Sequence, residues 1–235
     1  MPEPLESQER TFSGEKTSVS PGFQGEKSPP ERSRSRPREI TRQLIHLSGA
    51  LFVLLLAQVT GREVASLAFF SVALTFLLYS LYILREENRF KKLLDSLDKK
   101  IRGRVLQFER PGVPLQGAFW FYAGCGLAFL FFPLPVATAA CLILAVSDSL
   151  STLVGFHFGK KKILGNKTLE GTATFFLSSL LIGFMLLPAG APAAALAATA
   201  GELLPELAPG LRRRGLVDDN LIIPLLAGAA FLAFA

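Results

Sequence analysis

Apolar runs of membrane-crossing length recur along this chain and leave it few ways to fold. A helix needs about 20 predominantly apolar residues to span a bilayer. Runs near that length occupy residues 44–60, 64–84, 116–132, 135–157, 171–188, 190–207 and 220–235. The last is short and the sixth is alanine-rich, so these two carry the weakest spanning signal. Half of the residues are hydrophobic, 20 are Phe, only 19% are charged, and mean hydropathy is +0.39, as in polytopic membrane proteins. The expected fold is therefore all-α: a membrane bundle of about seven transmembrane helices.

Charge divides the chain further. Residues 1–40 are polar, rich in Pro, Ser, Glu and Arg, and read as a disordered tail with no signal peptide. Residues 41–235 form the expected membrane domain. Within it, residues 85–112 place Phe90, Leu93, Leu94, Leu97 and Ile101 at helical spacing among charges, the pattern of an amphipathic cytoplasmic segment. Cys125 and Cys141 lie in apolar runs without metal-ligand spacing.

The basic residues also set a direction. Arg32 to Arg42 precede the first run, a dense group from Arg85 to Arg110 follows the second, Lys160–Lys162 and Lys167 follow the fourth, and Arg212–Arg214 follow the sixth. The alternate connections, 60–63, 132–135 and 188–192, hold one basic residue, Arg62. Positive residues stay in the cytoplasm, so the N-terminus is expected inside and the C-terminus outside. The net charge of +6 is thereby assigned to loops and anionic lipid, and no nucleic-acid partner is expected.

This orientation gathers the unusual polar residues at one depth. Arg42 and His46 open the first run, Asp148 lies in the cytoplasmic half of the fourth, Glu202 in that of the sixth, and Asp218-Asp219-Asn220 opens the seventh. A charge inside a bilayer is costly and marks function by default. At 100° per residue, Ser151, Gly155 and Gly159 share the Asp148 face, whereas His157 points away. Gly155 and Gly159 suit close helix packing, either alone or combined with approach of a ligand. The turn that follows carries Lys160, Lys162, Lys167, Thr168, Glu170 and Gly171, cations and amides of the kind that hold phosphate. Its lysines also serve as positive anchors, and Glu170 and Asp218-Asp219 as helix caps. Asp148, Glu202 and Asp219 are the carboxylates available for a divalent metal or a general base, and the residues alone do not rank them.

No Walker-type or protein-kinase phosphate motif is present. The run Asp148-x-x-Ser151-x-x-x-Gly155-x-x-x-Gly159, followed by Lys160-Lys-Lys162 and Lys167-Thr168-Leu-Glu170-Gly171, nevertheless resembles the nucleotide-binding signature of the dolichol kinase and phytol kinase family. Arg42-x-x-x-His46-x-x-Gly49 resembles that family's early motif. Glu202 with Asp218-Asp219-Asn220-Leu-x-x-Pro224-Leu resembles its closing segment. Ser151 stands where Ala is common, and the basic turn is a lysine triplet rather than a spaced Lys. The resemblance implies an integral membrane kinase that phosphorylates a lipid alcohol (polyprenol or dolichol, phytol or geranylgeraniol, or diacylglycerol) with CTP and a divalent cation such as Mg²⁺. It implies catalytic roles for Asp148, Glu202, His46 and Asp219, and nucleotide contacts from Arg42, Ser151, Gly155, Gly159, Lys160, Lys162, Lys167, Thr168, Glu170, Gly171 and Asn220. Its partners would be the lipid alcohol, CTP and membrane lipids, with pairing into a homodimer left open. Two rivals stand beside it: nucleotidyl transfer making a CDP-lipid, and secondary transport.

Overall fold

The computed structural model describes residues 36–84, 115–213 and 217–234. The tail expected over residues 1–40 lies outside the described residues up to residue 35, and the amphipathic segment 85–112 lies outside them entirely. The helices described belong to one unit, Arg34–Ala235.

Each expected apolar run is a helix. Helix α1 (Arg36–Thr60) ends at Gly61, whose φ of +85° turns the chain sharply into α2 (Arg62–Leu84). Helix α3 (Gln116–Phe131) stops before Pro133, which cannot continue it. A continuous rod follows: α4 (Leu134–Leu142), a π-helical turn (Ile143–Ser147) and α5 (Asp148–Phe158). After a short hairpin come α6 (Leu169–Leu186), a 3₁₀ turn at Pro188–Gly190, α7 (Ala191–Leu207), the short α8 (Pro209–Arg213) and α9 (Asp219–Leu232).

Among the described residues, three stretches are long and apolar enough to cross a membrane: Arg62–Tyr82, Leu134–Phe158 and Leu169–Leu186. Leu47–Thr60, Gln116–Phe131 and Asp219–Leu232 are apolar but shorter. Helix α7 is weaker still, because alanine is only slightly apolar and the helix carries Glu202 and Glu206. The outer faces are greasy: Phe52, Leu67, Leu177, Leu181, Met185 and Leu196 are all more than half exposed, the pattern of helices that face lipid.

The rod Leu134–Phe158 is the centre of the bundle. Half of its apolar window is buried, against 28% for Arg62–Tyr82 and 22% for Leu169–Leu186. Helices α1, α3, α6 and α9 all pack on α4, and Gln58 of α1 donates to Thr138 Oγ1 at 3.0 Å. Buried phenylalanines from four helices, Phe69, Phe129, Phe175 and Phe231, fill the core with Ile143, Leu144 and Ile223. Helix α7 compensates for its small residues by coming close: a Cβ at Gly183 would meet Ala191 Cα at 3.0 Å.

The three short connections poor in basic residues meet at one end. Arg62 donates to the Phe132 carbonyl at 3.4 Å, and Phe231 near the end of α9 touches Gly190. Asp148, the hairpin and the start of α9 lie at the opposite end.

The expectation of an all-α chain is corrected at one place. Residues 162–168 form an antiparallel hairpin, β1 (Lys162–Leu164) paired with β2 (Lys167–Thr168). Gly165 and Asn166 make its two-residue turn, and Gly165 adopts φ +54°, which tight hairpin turns require. Thr168 then ends β2 and caps α6, its hydroxyl accepting from Gly171 N at 3.2 Å, so that helix starts at Leu169 and not at 171 as expected.

Candidate functional site

Four segments distant in sequence meet at the hairpin end. The ammonium of Lys167, on β2, lies 3.2 Å from Glu202 Oε1 on α7 and 3.4 Å from Asp219 Oδ2 in the first turn of α9. Ser151 of α5 donates to the same Glu202 oxygen at 3.3 Å and to the Asp148 carbonyl at 3.1 Å. Asp148 acts on this ammonium electrostatically as well. Burial pulls Lys167 toward its neutral form, but Asp219, Asp148 and Glu202 together outweigh that pull and hold its pKa above the ordinary lysine value.

Local structure explains the convergence. The π turn directly precedes Asp148, whose N–H reaches back to the Leu144 carbonyl, and π turns are frequent at functional sites. Gly201 lets α7 approach the α9 backbone, where a Cβ would lie 3.3 Å from Ile223 Cα, and this brings Glu202 toward the start of α9. Gly124 does the same for α3, whose backbone runs against the Asn220 carbonyl. Asp218 caps α9, its Oδ1 accepting from Asn220 N at 3.0 Å and Asn220 Nδ2 at 2.8 Å. Its carboxyl is pushed up to about 7, first by burial and then by the neighbouring charge of Asp219.

The other expected residues fall into distinct groups. Gly155, Gly159 and Gly171 all border Thr168: a Cβ on any of them would come within about 3 Å of its hydroxyl. Their missing side chains hold the hairpin against α5, and the space sequence reasoning offered to a ligand is filled by Thr168. Glu170 Oε2 accepts from the backbone N–H of Lys160 at 3.1 Å and of Lys161 at 3.4 Å, so these amides serve the turn itself. Lys160, Lys161 and Lys162 stand exposed around it. His157 stays apart, its Nδ1 2.9 Å from the Leu153 carbonyl. Arg42 and His46 lie on α1, which packs on the π turn and α5. Their side chains are outside the described residues.

The expected metal set of Asp148, Glu202 and Asp219 takes a different form. Among the described residues no group of three or more His, Cys, Asp or Glu side chains is arranged to hold a metal ion. The carboxylates gather instead around the Lys167 ammonium. Mg²⁺ asks less than a full protein cage: it binds through one or two carboxylates and completes its shell with water and phosphate. Glu202 Oε2, buried without a hydrogen-bond partner, is a free donor of this kind.

No family model and no solved structure matches the chain. Over 150 residues, 63% of this chain and 70% of the other, it is 29% identical to an uncharacterized protein of Rickettsia prowazekii (strain Madrid E).

Three neighbours of the site escape sequence reasoning. Tyr122 of α3 places its hydroxyl against Gly49, where a Cβ would meet it at 2.6 Å, and so joins α1 to the helix that borders Asn220. Glu206 brings its carboxylate against the Gly165 turn, where any added side chain would have to displace it. Its spacing of four from Glu202 on one helix was a readable signal. The π turn at Ile143–Ser147 has no sequence signal that we can name.

Proposed function

We propose that this protein is a CTP-dependent kinase that transfers the γ-phosphate to the hydroxyl of a membrane lipid alcohol at the cytoplasmic face of a multi-pass bundle. The observation that carries this reading is the meeting of Lys167, Glu202, Asp219 and Ser151 at one end of an apolar bundle, with Asp148 acting on the same ammonium. A soluble phosphate donor needs cations and acids near water, and a lipid acceptor needs apolar helix faces beside them. Both occur here at one level. The choice of CTP over ATP, and of a kinase over other phosphate chemistry, rests on the resemblance of the three motifs.

Phosphoryl transfer asks the protein mainly to position its reactants and balance charge. Lys167 would bind phosphate oxygens and Lys160–Lys162 would draw the nucleotide to the hairpin. The acceptor oxygen attacks the γ-phosphorus, the bond from that phosphorus to the β–γ bridging oxygen breaks, and CDP leaves. The hydroxyl proton passes to a carboxylate of the cluster. Glu202, with Asp148 or Asp219, would hold a divalent cation, which when bound neutralises phosphate charge.

Purified protein in detergent, given labelled CTP and a panel of phytol, geranylgeraniol, polyprenols and diacylglycerol, tests the reading. The γ-label is expected in one of these lipids. Label from the α-position in the lipid would instead indicate nucleotidyl transfer to a lipid phosphate carried with the protein. No transfer to any of the panel would overturn the proposal.

A further inference from the structure

The hairpin has an outer side that the acid cluster does not use. Phe158 at the end of α5 is 68% exposed, Leu169 at the start of α6 47%, and Ile163 of β1 40%. Leu169 opens an exposed apolar stripe on α6 that continues every fourth residue through Ala173, Leu177 and Leu181. The stretch Leu169–Leu186 is long and apolar enough to cross a membrane, and its 18 residues rise about 27 Å, close to the thickness of the hydrocarbon. In a bilayer that this helix spans, Leu169 stands at the hydrocarbon edge, and the chain just before it lies at headgroup level. The Leu169 N–H donates to the Lys161 carbonyl at 2.8 Å, which ties the lysine triplet to that edge. Glu170 fixes the backbone by accepting from the Lys160 and Lys161 amides, while the side chains of Lys160, Lys161 and Lys162 stand exposed. Among the described residues, no hydrogen bond or ion pair engages these three ammonium groups, and Glu170 attracts Lys160 only through space.

We infer that the outer side of the hairpin is a docking site for an anionic phospholipid, with the headgroup phosphate on Lys160–Lys162 and an acyl chain along Leu169, Leu177 and Leu181. Cations at the rim of an apolar stripe match a molecule that carries its phosphate directly above its chains. A zwitterionic lipid offers the same chains without net charge, so it gains less from the three lysines. Phe158 and Ile163 flank the triplet with apolar surface that the interface covers and water does not. The inference rests on the bundle standing in a membrane. It does not rest on the kinase reading, which asks of these lysines only a long-range attraction for nucleotide.

Tryptophan fluorescence of the full chain in lipid nanodiscs tests the docking site. Trp120→Phe removes the single native tryptophan, and Phe158→Trp places a reporter beside the triplet. Brominated phosphatidylglycerol, which quenches on contact, is expected to do so at a roughly tenfold lower mole fraction than brominated phosphatidylcholine, since each lysine near an anionic headgroup adds roughly fivefold in affinity before screening. Lys160→Gln, Lys161→Gln and Lys162→Gln together should erase the difference. Equal quenching by the two lipids, a preference that survives the triple replacement, or no quenching by either would overturn the inference. If Phe158→Trp does not fold, acylation of the wild-type triplet by an amine-reactive ester decides, read by mass spectrometry with Lys16 and Lys27 as references. Phosphatidylglycerol should protect the triplet, and inorganic phosphate added to phosphatidylcholine discs should not. Equal labelling in the two lipids, or protection by inorganic phosphate alone, would overturn the inference. Lipid phosphorylation without a lipid preference would sink this inference only, and a lipid preference without phosphorylation the kinase reading only.

Discussion

Lys167 Nζ lies 3.2 Å from Glu202 Oε1, a pairing between a hairpin strand and the interior of an apolar helix, 35 residues apart in sequence. Removing one partner of a buried pair leaves the other charge uncompensated, at a cost of about 3–5 kcal/mol. Lys167→Met should therefore lower the melting temperature in detergent markedly. Glu202→Gln should cost less, because a neutral amide replaces the buried charge. A melting curve for each variant checks the order, and a Glu202→Gln more damaging than Lys167→Met would contradict it.

The glycines around Thr168 should differ in tolerance. A Cβ at Gly159 would meet Thr168 Cγ2 at 2.7 Å and press on the Gly155 carbonyl, which is backbone and cannot swing aside. At Gly155 the nearest contact is the Thr168 hydroxyl at 3.0 Å. Gly159→Ala is expected to detach the hairpin from α5, and Gly155→Ala to shift it slightly. Limited proteolysis at Lys160–Lys162 should register the difference, with Gly159→Ala cut far faster.

Gly165 is constrained twice, by φ +54° and by Glu206. Gly165→Ala carries a left-handed penalty of about 1–2 kcal/mol in addition to the collision. Pairing it with Glu206→Ala should restore part of the lost stability but not all, since the backbone strain persists. Full recovery in the double variant would show that φ plays no part.

Asp218 supplies a pH dependence whose sign is fixed. Its carboxyl titrates at about 7 in the folded chain, against 3.8 ordinarily, so the folded state binds the extra proton between those values. The associated stability is full below about pH 4 and is lost as the pH rises through about 7. Lys167, held above its ordinary value, contributes stability that persists throughout this window and adds no slope there. The melting temperature should fall from about pH 5 to about pH 8, and Asp218→Asn should flatten that fall. Parallel curves for the two proteins would refute the assignment.

Much of this arrangement was legible in the sequence because long apolar runs announce helices. The helices over the seven apolar runs follow from hydropathy, and the meeting of Ser151, Glu202 and Asp219 from their shared level along those runs. The hairpin did not, since β1 and β2 comprise only five residues and lack an alternating pattern. The carboxylate partners of Lys167 were not legible, for a physical reason. A lysine beside a glycine turn looks like an anion site until the acids of other segments are brought to it. Thr168 likewise reads as a phosphate contact, although its spacing of three from Gly171 already fits a helix cap.

The π turn at Ile143–Ser147 holds one residue more than an α-helix needs to keep its faces in phase. The two halves of the central rod are therefore separately indexed: Cys141 to the core, Asp148 to the acid cluster. Deleting one residue between Ile143 and Ser147 should convert the turn to regular α-helix while both faces keep their direction. The length of the rod is thus a variable that the site can survive, whereas a deletion after Asp148 would rotate Ser151 away from Glu202.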